Sequence, residues 1–218
     1  QPAAPRSAGS GPRGSGTRVG RGARSLADDS PITTEYLKAE GQAGRMGAQL
    51  IAVVADNRSG RLYVSPDEIQ ADSALVDAPS EVPAGTLAYD PRNVWAPQYG
   101  LTEFSDLFTN RQLVAMTTFS DVVPAVREQV LTDCLKLGLS AGKSLENEGD
   151  GAVAYADAVA TYLALSVSRL ADRSSSLCGW DSSRDSVRNV FGRQAIPMVW
   201  DYAEPNHFSE SSGKFLGQ

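Results

Sequence analysis

Histidine occurs once, at His207, and cysteine twice, at Cys134 and Cys178, in a chain of 218 residues. That scarcity removes several kinds of chemistry. A Ser-His-acid or Cys-His nucleophile needs an imidazole beside it, and only His207, in a loop expected near the end of the chain, is on offer. Two thiols and one imidazole cannot fill a four-coordinate zinc site, so no metal site is expected. The cysteines read instead as small apolar core residues rather than a disulfide. Neither the Walker pattern nor a Gly-x-Gly-x-x-Gly strand-to-helix turn is present, which leaves no phosphate cradle. The longest apolar runs, such as LIAVVA at 50–55, fall far short of the roughly 20 residues of a membrane helix. No charged-then-apolar leader opens the chain. A cytoplasmic protein without a membrane partner is the expectation.

Positive charge is also in short supply. The net charge is −6, and a free-standing nucleic-acid binder normally carries a basic excess to neutralise phosphate. The average hides a split: Arg6, Arg13, Arg18, Arg21 and Arg24 precede the first acid, Asp28, so the leading segment carries +5 and the rest −11. Any contact this tail makes with nucleic acid would be non-specific.

What is present falls into three regions. Residues 1–24 are dominated by Gly, Ser, Pro, Ala and Arg, with Val19 the only large aliphatic side chain. Such a composition cannot repay the entropy of ordering and predicts a disordered tail. Residues 25–105 read as a small mixed α/β region. In it, Ile32, Tyr36 and Leu37 suit a short strand or helical turn, the spacing at 45–55 favours a buried helix over a strand despite its extra β-branched residues, RLYVS at 61–65 alternates as a strand, and Pro66 opens a short helix through Ala74. Four prolines between 77 and 100 make an extended connector. Residues 106–218 read as a helical region. Leu113, Met116, Phe119, Val123, Val126, Val130 and Leu137 recur at helical spacing behind Thr109 as N-cap, with Pro124 expected to kink or divide the helix. An Ala-rich helix follows over 152–173 and a serine-rich turn over 174–183, and Asp185 starts a short helix that Pro197 ends.

The stretch VRNVFGRQAIPMVWDYAEPNHF at 187–208 gathers two arginines, four aromatics, two carboxylates and the one histidine round two prolines. Asp201 and Glu204, at helical spacing, suit an acid and base pair or a metal, or a salt-bridged turn that satisfies Arg193 or Arg188. Trp180, Trp200 and Tyr202 offer faces for an extruded base, or ordinary core packing. Arg184, Arg188 and Arg193 lie four and five apart. They suit phosphate contacts along a groove, and equally a helix face paired with Asp181, Asp185 and Asp201.

Three runs of words, YLKAEGQAGRMGAQL from Tyr36, YGLTEFSDLFTNRQLVAMTTFSD from Tyr99 and AYADAVATYLALSVSRLADRSSSLCGWDSSRDSVRNVFGRQAIPMVWDYAE from Ala154, stand in one order along the chain. In that order they resemble the middle of the adenine-specific DNA methylases that contain a zinc ribbon, over 16–217. In that family, methyl transfer from S-adenosylmethionine depends on an Asp-Pro-Phe-x-Gly-Gly-Gly loop and on an Asp-Pro-Pro-Tyr loop that holds the flipped base. Neither string occurs here, so the resemblance implies a portion that lies between them. Where the family tends to place the second Cys-x-x-Cys half of its ribbon, Ser25 and Asp28 stand ahead of Pro31, and serine does not replace a thiolate on zinc. Asn206-His207 stands where the family usually shows Asn-Pro.

The resemblance therefore implies a mainly helical α+β segment of a larger Rossmann-like methyltransferase. Its partners would be DNA, through the intact enzyme, and the remaining parts of the methylase. Arg184, Arg188, Arg193, Trp180 and Trp200 would be candidates for the DNA-facing surface, and S-adenosylmethionine would be bound elsewhere. Gln1 at one end and a Gly-Lys-Phe-Leu-Gly run before Gln218 at the other read as cut ends of a longer chain. A non-enzymatic interaction module, or a truncated remnant of the family, is the alternative.

Overall fold

A computed structural model describes residues 18–19, 22–58, 60–192 and 194–209. It has an α+β fold in which helix accounts for about 39% of the chain and every sheet is small. The described residues fall into two compact units. One holds those up to Gly47 together with Gln98–Gly100, and the other holds those of Ala48–Pro97 and from Leu101 onward.

The first unit begins with three short antiparallel strands in sequence order, β1 (Arg18–Val19), β2 (Gly22–Arg24) and β3 (Pro31–Ile32). Part of the expected disordered tail is thus strand, because residues 18–19 and 22–24 pair into this sheet; residues 1–17 and 20–21 lie outside the described residues. Helix α1 (Thr34–Gln42) follows, with the Thr33 side chain accepting from the Tyr36 amide as N-cap. Its Gly41 is where the helix meets residues 98–100: a Cβ there would lie 2.3 Å from the Tyr99 carbonyl oxygen. Lys38 Nζ donates to Gln98 Oε1 at 2.6 Å on the same side.

The second unit opens with a hairpin of β4 (Val53–Asn57) and β5 (Gly60–Val64), paired from Val53 opposite Val64 to Asn57 opposite Gly60. The buried helix expected over 45–55 does not form. The β-branched pair Val53 and Val54 fits a pleated surface better than a helix, and the Asn57 side chain accepts from the Arg58 amide at 2.7 Å to start the turn. Helix α2 (Glu68–Ser73) lies where Pro66 and its acids predicted one, and Asp67 and Gln70 close a capping box at its start.

Helix α3 (Asn110–Lys136) starts at the expected Thr109 cap and runs unbroken through Pro124, so the division expected near Asp121 is absent. Helix α4 (Gly151–Ala171) packs against it and buries Ala152, Ala154, Ala156, Val167 and Leu170. Three of the five are alanines, small enough to let backbones come close. Asp157 of α4 ties the pair together: it accepts from Arg127 Nε of α3 at 2.8 Å and from the Leu145 amide in the connecting loop at 2.9 Å. By length and composition alone, α4 would suffice to cross a bilayer.

The remaining core lies beyond the ends of these helices. Leu87, Ala96, Leu107, Leu177, Cys178, Val187 and Val190 form one buried cluster, with Phe108, Trp180 and Ile196 packed against it. Each large side chain buried this way contributes about 1.5–3 kcal/mol. The serine-rich turn closes on it, as Ser176 donates to the Leu107 carbonyl from both its amide, at 2.8 Å, and its hydroxyl, at 3.0 Å.

The last two strands, β6 (Trp180–Asp181) and β7 (Ser186–Val187), make a small hairpin where a helix was expected from Asp185. Asp181 captures the Ser183 amide at 3.0 Å and the Ser183 hydroxyl at 2.6 Å. Such local bonds offer the backbone an alternative to helix. Asp185 then takes a left-handed conformation, φ 48°, which aspartate tolerates in a turn.

Candidate functional site

The amino-terminal turn of α3 gathers a cluster of polar side chains. Thr109 and Gln112 close a capping box: the Gln112 amide donates to Thr109 Oγ1 at 3.3 Å, and the Thr109 amide donates to Gln112 Oε1 at 2.9 Å. Each satisfies a backbone donor that the helix itself cannot. Between them, Arg111 turns to Glu204. Its Nε donates to Oε2 at 2.9 Å and its Nη2 to Oε1 at 2.7 Å, while Thr109 Oγ1 donates to Oε1 at 2.9 Å. Arg111 Nη1 also donates to the Ala74 carbonyl. The hydrogen bond to Glu204 raises the Arg111 pKa further, so the guanidinium stays charged. Burial, followed by the Glu204 charge, pushes the Tyr202 phenol up.

Beside this ion pair lies a cavity of about 180 Å³ lined by Arg111, Gln112, Glu204, Asn206, His207 and Phe208. The turn on its far side is held by Asn206, whose Oδ1 accepts from the Phe208 amide at 3.0 Å and whose carbonyl accepts from the Ser209 amide at 3.0 Å. Phe119 of α3 meets the His207 ring edge-on at 6.0 Å and the Phe208 ring at 5.9 Å. Gln112 is only 3% exposed, and its Nε2 meets no acceptor among the described residues. The sequence foretold Thr109 as the cap, but not the part of Gln112 in it, and nothing local foretold the cavity.

Of the sequence-predicted site residues, Glu204 belongs here and Asp201 does not. Both stand in irregular backbone, so the helical spacing that would have aligned them is absent, and among the described residues Glu204 pairs with Arg111 and not with Arg188. Asp201 makes no hydrogen bond or ion pair among the described residues. Arg193 lies outside the described residues. Arg184 and Arg188 are exposed on the β6–β7 hairpin, where Arg188 Nε stands 3.5 Å from Asp181 Oδ2. Asp181 is held below the usual aspartate range chiefly by the Ser183 hydroxyl, with Arg188 a lesser cause.

Trp180 is half-buried against the core and donates its Nε1 to Tyr63 Oη at 3.1 Å. Tyr63 Oη in turn donates to Asp185 Oδ1 at 2.8 Å, and the two rings meet edge-to-face at 6.2 Å. Its indole therefore locks the two hairpins of this unit together. Trp200 is also half-buried.

His207 does approach a serine, Ser174 Oγ at 3.5 Å from Nε2, but Ser174 is fully buried, and no substrate carbonyl reaches its hydroxyl. Burial likewise pushes the Cys178 thiol above its ordinary pKa, away from a reactive thiolate. Ser25 and Asp28, which stand near the ribbon position, are turned to local use, with Asp28 Oδ1 accepting from the Ser30 amide and hydroxyl. Among the described residues, no three His, Cys, Asp or Glu side chains gather as metal ligands would. Comparison with known proteins adds nothing further: no family model, no curated protein and no solved structure matches the chain.

Proposed function

We propose that this chain is the central, non-catalytic segment of a Rossmann-like, S-adenosylmethionine-dependent, adenine-specific DNA methyltransferase. It supplies scaffold and part of the surface that faces DNA. The observation that carries the reading is the collinear order of three long family words between Tyr36 and Glu204, without either the cofactor loop or the Asp-Pro-Pro-Tyr loop. The exposed guanidinium groups of Arg184 and Arg188 on the β6–β7 hairpin suit phosphate contact. Arg193 joins them on sequence grounds. The half-buried position of Trp180 gives it the supporting role of fixing that hairpin. The remaining parts of the methylase bring S-adenosylmethionine and handle the base. Zinc has no part in this segment.

Calorimetry with S-adenosylmethionine tests the reading, on the chain alone and then mixed with segments that carry the two loops. Binding and DNA methylation only in the mixture support it. Failure of both in the mixture overturns it and favours a non-enzymatic interaction module. That second reading draws on one observation: Tyr155, Tyr162 and Leu165 are exposed on one face of α4, an apolar stripe suited to another protein.

A further inference from the structure

We propose that α4 pairs with the α4 of a second copy of this chain, the two helices lying antiparallel. Tyr155, Ala158, Tyr162, Leu165 and Arg169 recur at alternate steps of three and four residues, the spacing that lines side chains along one seam of a coiled coil. The seam lies on a different side of the helix from Ala156, Val167 and Leu170, which are buried. Tyr155 is 57% exposed, Tyr162 75% and Leu165 60%, and large side chains left open to water in one stripe mark an interaction surface. The flanking positions Val159, Thr161, Ser166 and Ser168 carry no charge. Thr161 Oγ1 donates to the Asp157 carbonyl at 2.8 Å and Ser166 Oγ to the Tyr162 carbonyl at 2.9 Å, so covering these two hydroxyls strands no donor.

Size and charge choose the occupant. A two-fold axis midway between Ala158 and Tyr162 sets Tyr162 of each copy against Ala158 of the other, a large side chain into the space a small one leaves, and Tyr155 against Leu165. The same axis brings Arg169 to the start of the facing helix, where Gly151 has no side chain to bar the way to Asp150. Arg169 and Asp150 are both exposed, and neither side chain has a partner among the described residues; Asp150 stands at the N-cap position without a side-chain hydrogen bond. A parallel pair would instead set Tyr162 on Tyr162 and Arg169 on Arg169. A self-complementary patch of this kind closes as a two-fold dimer and stops there. Tyrosine suits such a seam, because its ring is covered while its hydroxyl reaches water at the edge. One helical seam is small beside the roughly 1,200–2,000 Å² of a standard interface, so the dimer should be weak and depend on concentration.

The pairing draws on the stripe that favours an interaction module, but it does not need the enzyme reading to fail, since a methylase segment can dimerise as well. Sedimentation equilibrium of the full 218-residue chain, loaded from micromolar to millimolar concentration, should show a reversible monomer–dimer equilibrium. Tyr162→Glu, at an exposed site, should keep the circular dichroism of the parent and weaken dimerisation about tenfold or more. Leu165→Glu serves if that variant does not fold. Arg169→Glu and Asp150→Lys should each weaken dimerisation about threefold or more, and the double variant, with the ion pair reversed, should restore it. The proposal is overturned by a chain that stays monomeric throughout, whether or not it floats with phosphatidylcholine vesicles. It is overturned equally by parental dimerisation in a folded Tyr162→Glu or Leu165→Glu, or by a double charge variant that dimerises no better than the single ones. A monomer would leave the stripe free for a different protein, and the readout is mass rather than methylation, so this pairing and either reading above can each fail alone.

Discussion

Arg111 grips Glu204 through two parallel hydrogen bonds, Nε to Oε2 at 2.9 Å and Nη2 to Oε1 at 2.7 Å, across 93 positions of sequence. The pair fastens the start of α3 to the irregular chain after Trp200. Its geometry is the planar fork that only arginine provides. With side chains 36% and 25% exposed, solvent screens part of the attraction, and about 1 kcal/mol is the expected contribution. Arg111→Lys, which keeps the charge and loses the fork, should cost most of that. Glu204→Gln should cost a similar amount, and the double variant less than the sum. Urea unfolding of the four proteins measures the coupling, and strictly additive losses would show that the two side chains do not act on each other.

Glu204 also shows where sequence reading stops. Its helical spacing from Asp201 suggested a carboxylate pair, but nothing local announces a partner 93 residues upstream. The Thr109 cap, the start of α3 and the apolar periodicity of both long helices were legible, because capping and amphipathic spacing are local properties. The failures have local causes too. Residues 45–55 carry helix-spaced apolar side chains, yet Val53 and Val54 lead into a hairpin turned at Asn57. Asp181 and Ser183 bond to each other and to nearby backbone, which turns the chain where a helix was expected. In each case a side-chain hydrogen bond to the next residues outweighed a weak propensity.

Gly41 sets a second prediction. Alanine within a helix normally gains about 0.5–1 kcal/mol over glycine. At Gly41 the added Cβ would stand 2.3 Å from the Tyr99 carbonyl oxygen, and backbone has no spare rotamer with which to give way. Overpacking of this kind costs about 1–3 kcal/mol, so the clash wins and Gly41→Ala destabilises the first unit. Gly47, with nothing within 4 Å of its would-be Cβ, is the control, and Gly47→Ala should be neutral. Amide hydrogen exchange across α1 distinguishes them; equal protection in the two variants would refute the contact.

Tyr63 carries a third. Its hydroxyl donates to Asp185 and accepts from Trp180 Nε1, so Tyr63→Phe leaves the edge-to-face ring contact and removes both hydrogen bonds. At a side chain about half exposed, the loss should stay below about 1 kcal/mol, since water replaces part of each bond. The sensitive readout is therefore spectroscopic. Of the three indole N–H resonances, from Trp95, Trp180 and Trp200, one should move when the hydroxyl is removed. If all three stay in place, the Trp180 to Tyr63 bond is absent in solution.

Asp157 gives the pH dependence. The Leu145 amide first, and Arg127 second, hold its carboxyl below the ordinary aspartate pKa. A carboxyl depressed in the folded state contributes stability above its unfolded pKa of about 3.9 and loses that contribution as the pH falls through the folded value. Asp157→Asn should therefore melt at a lower temperature than the parent at neutral pH. The gap should narrow as the pH drops below about 4, where the unfolded chain begins to take up the proton, and close as the pH falls through the lower folded value. Melting curves from pH 7 down to pH 3 make the comparison. A gap that stays constant over that span would mean that the ionised carboxylate does not link α3, α4 and their loop.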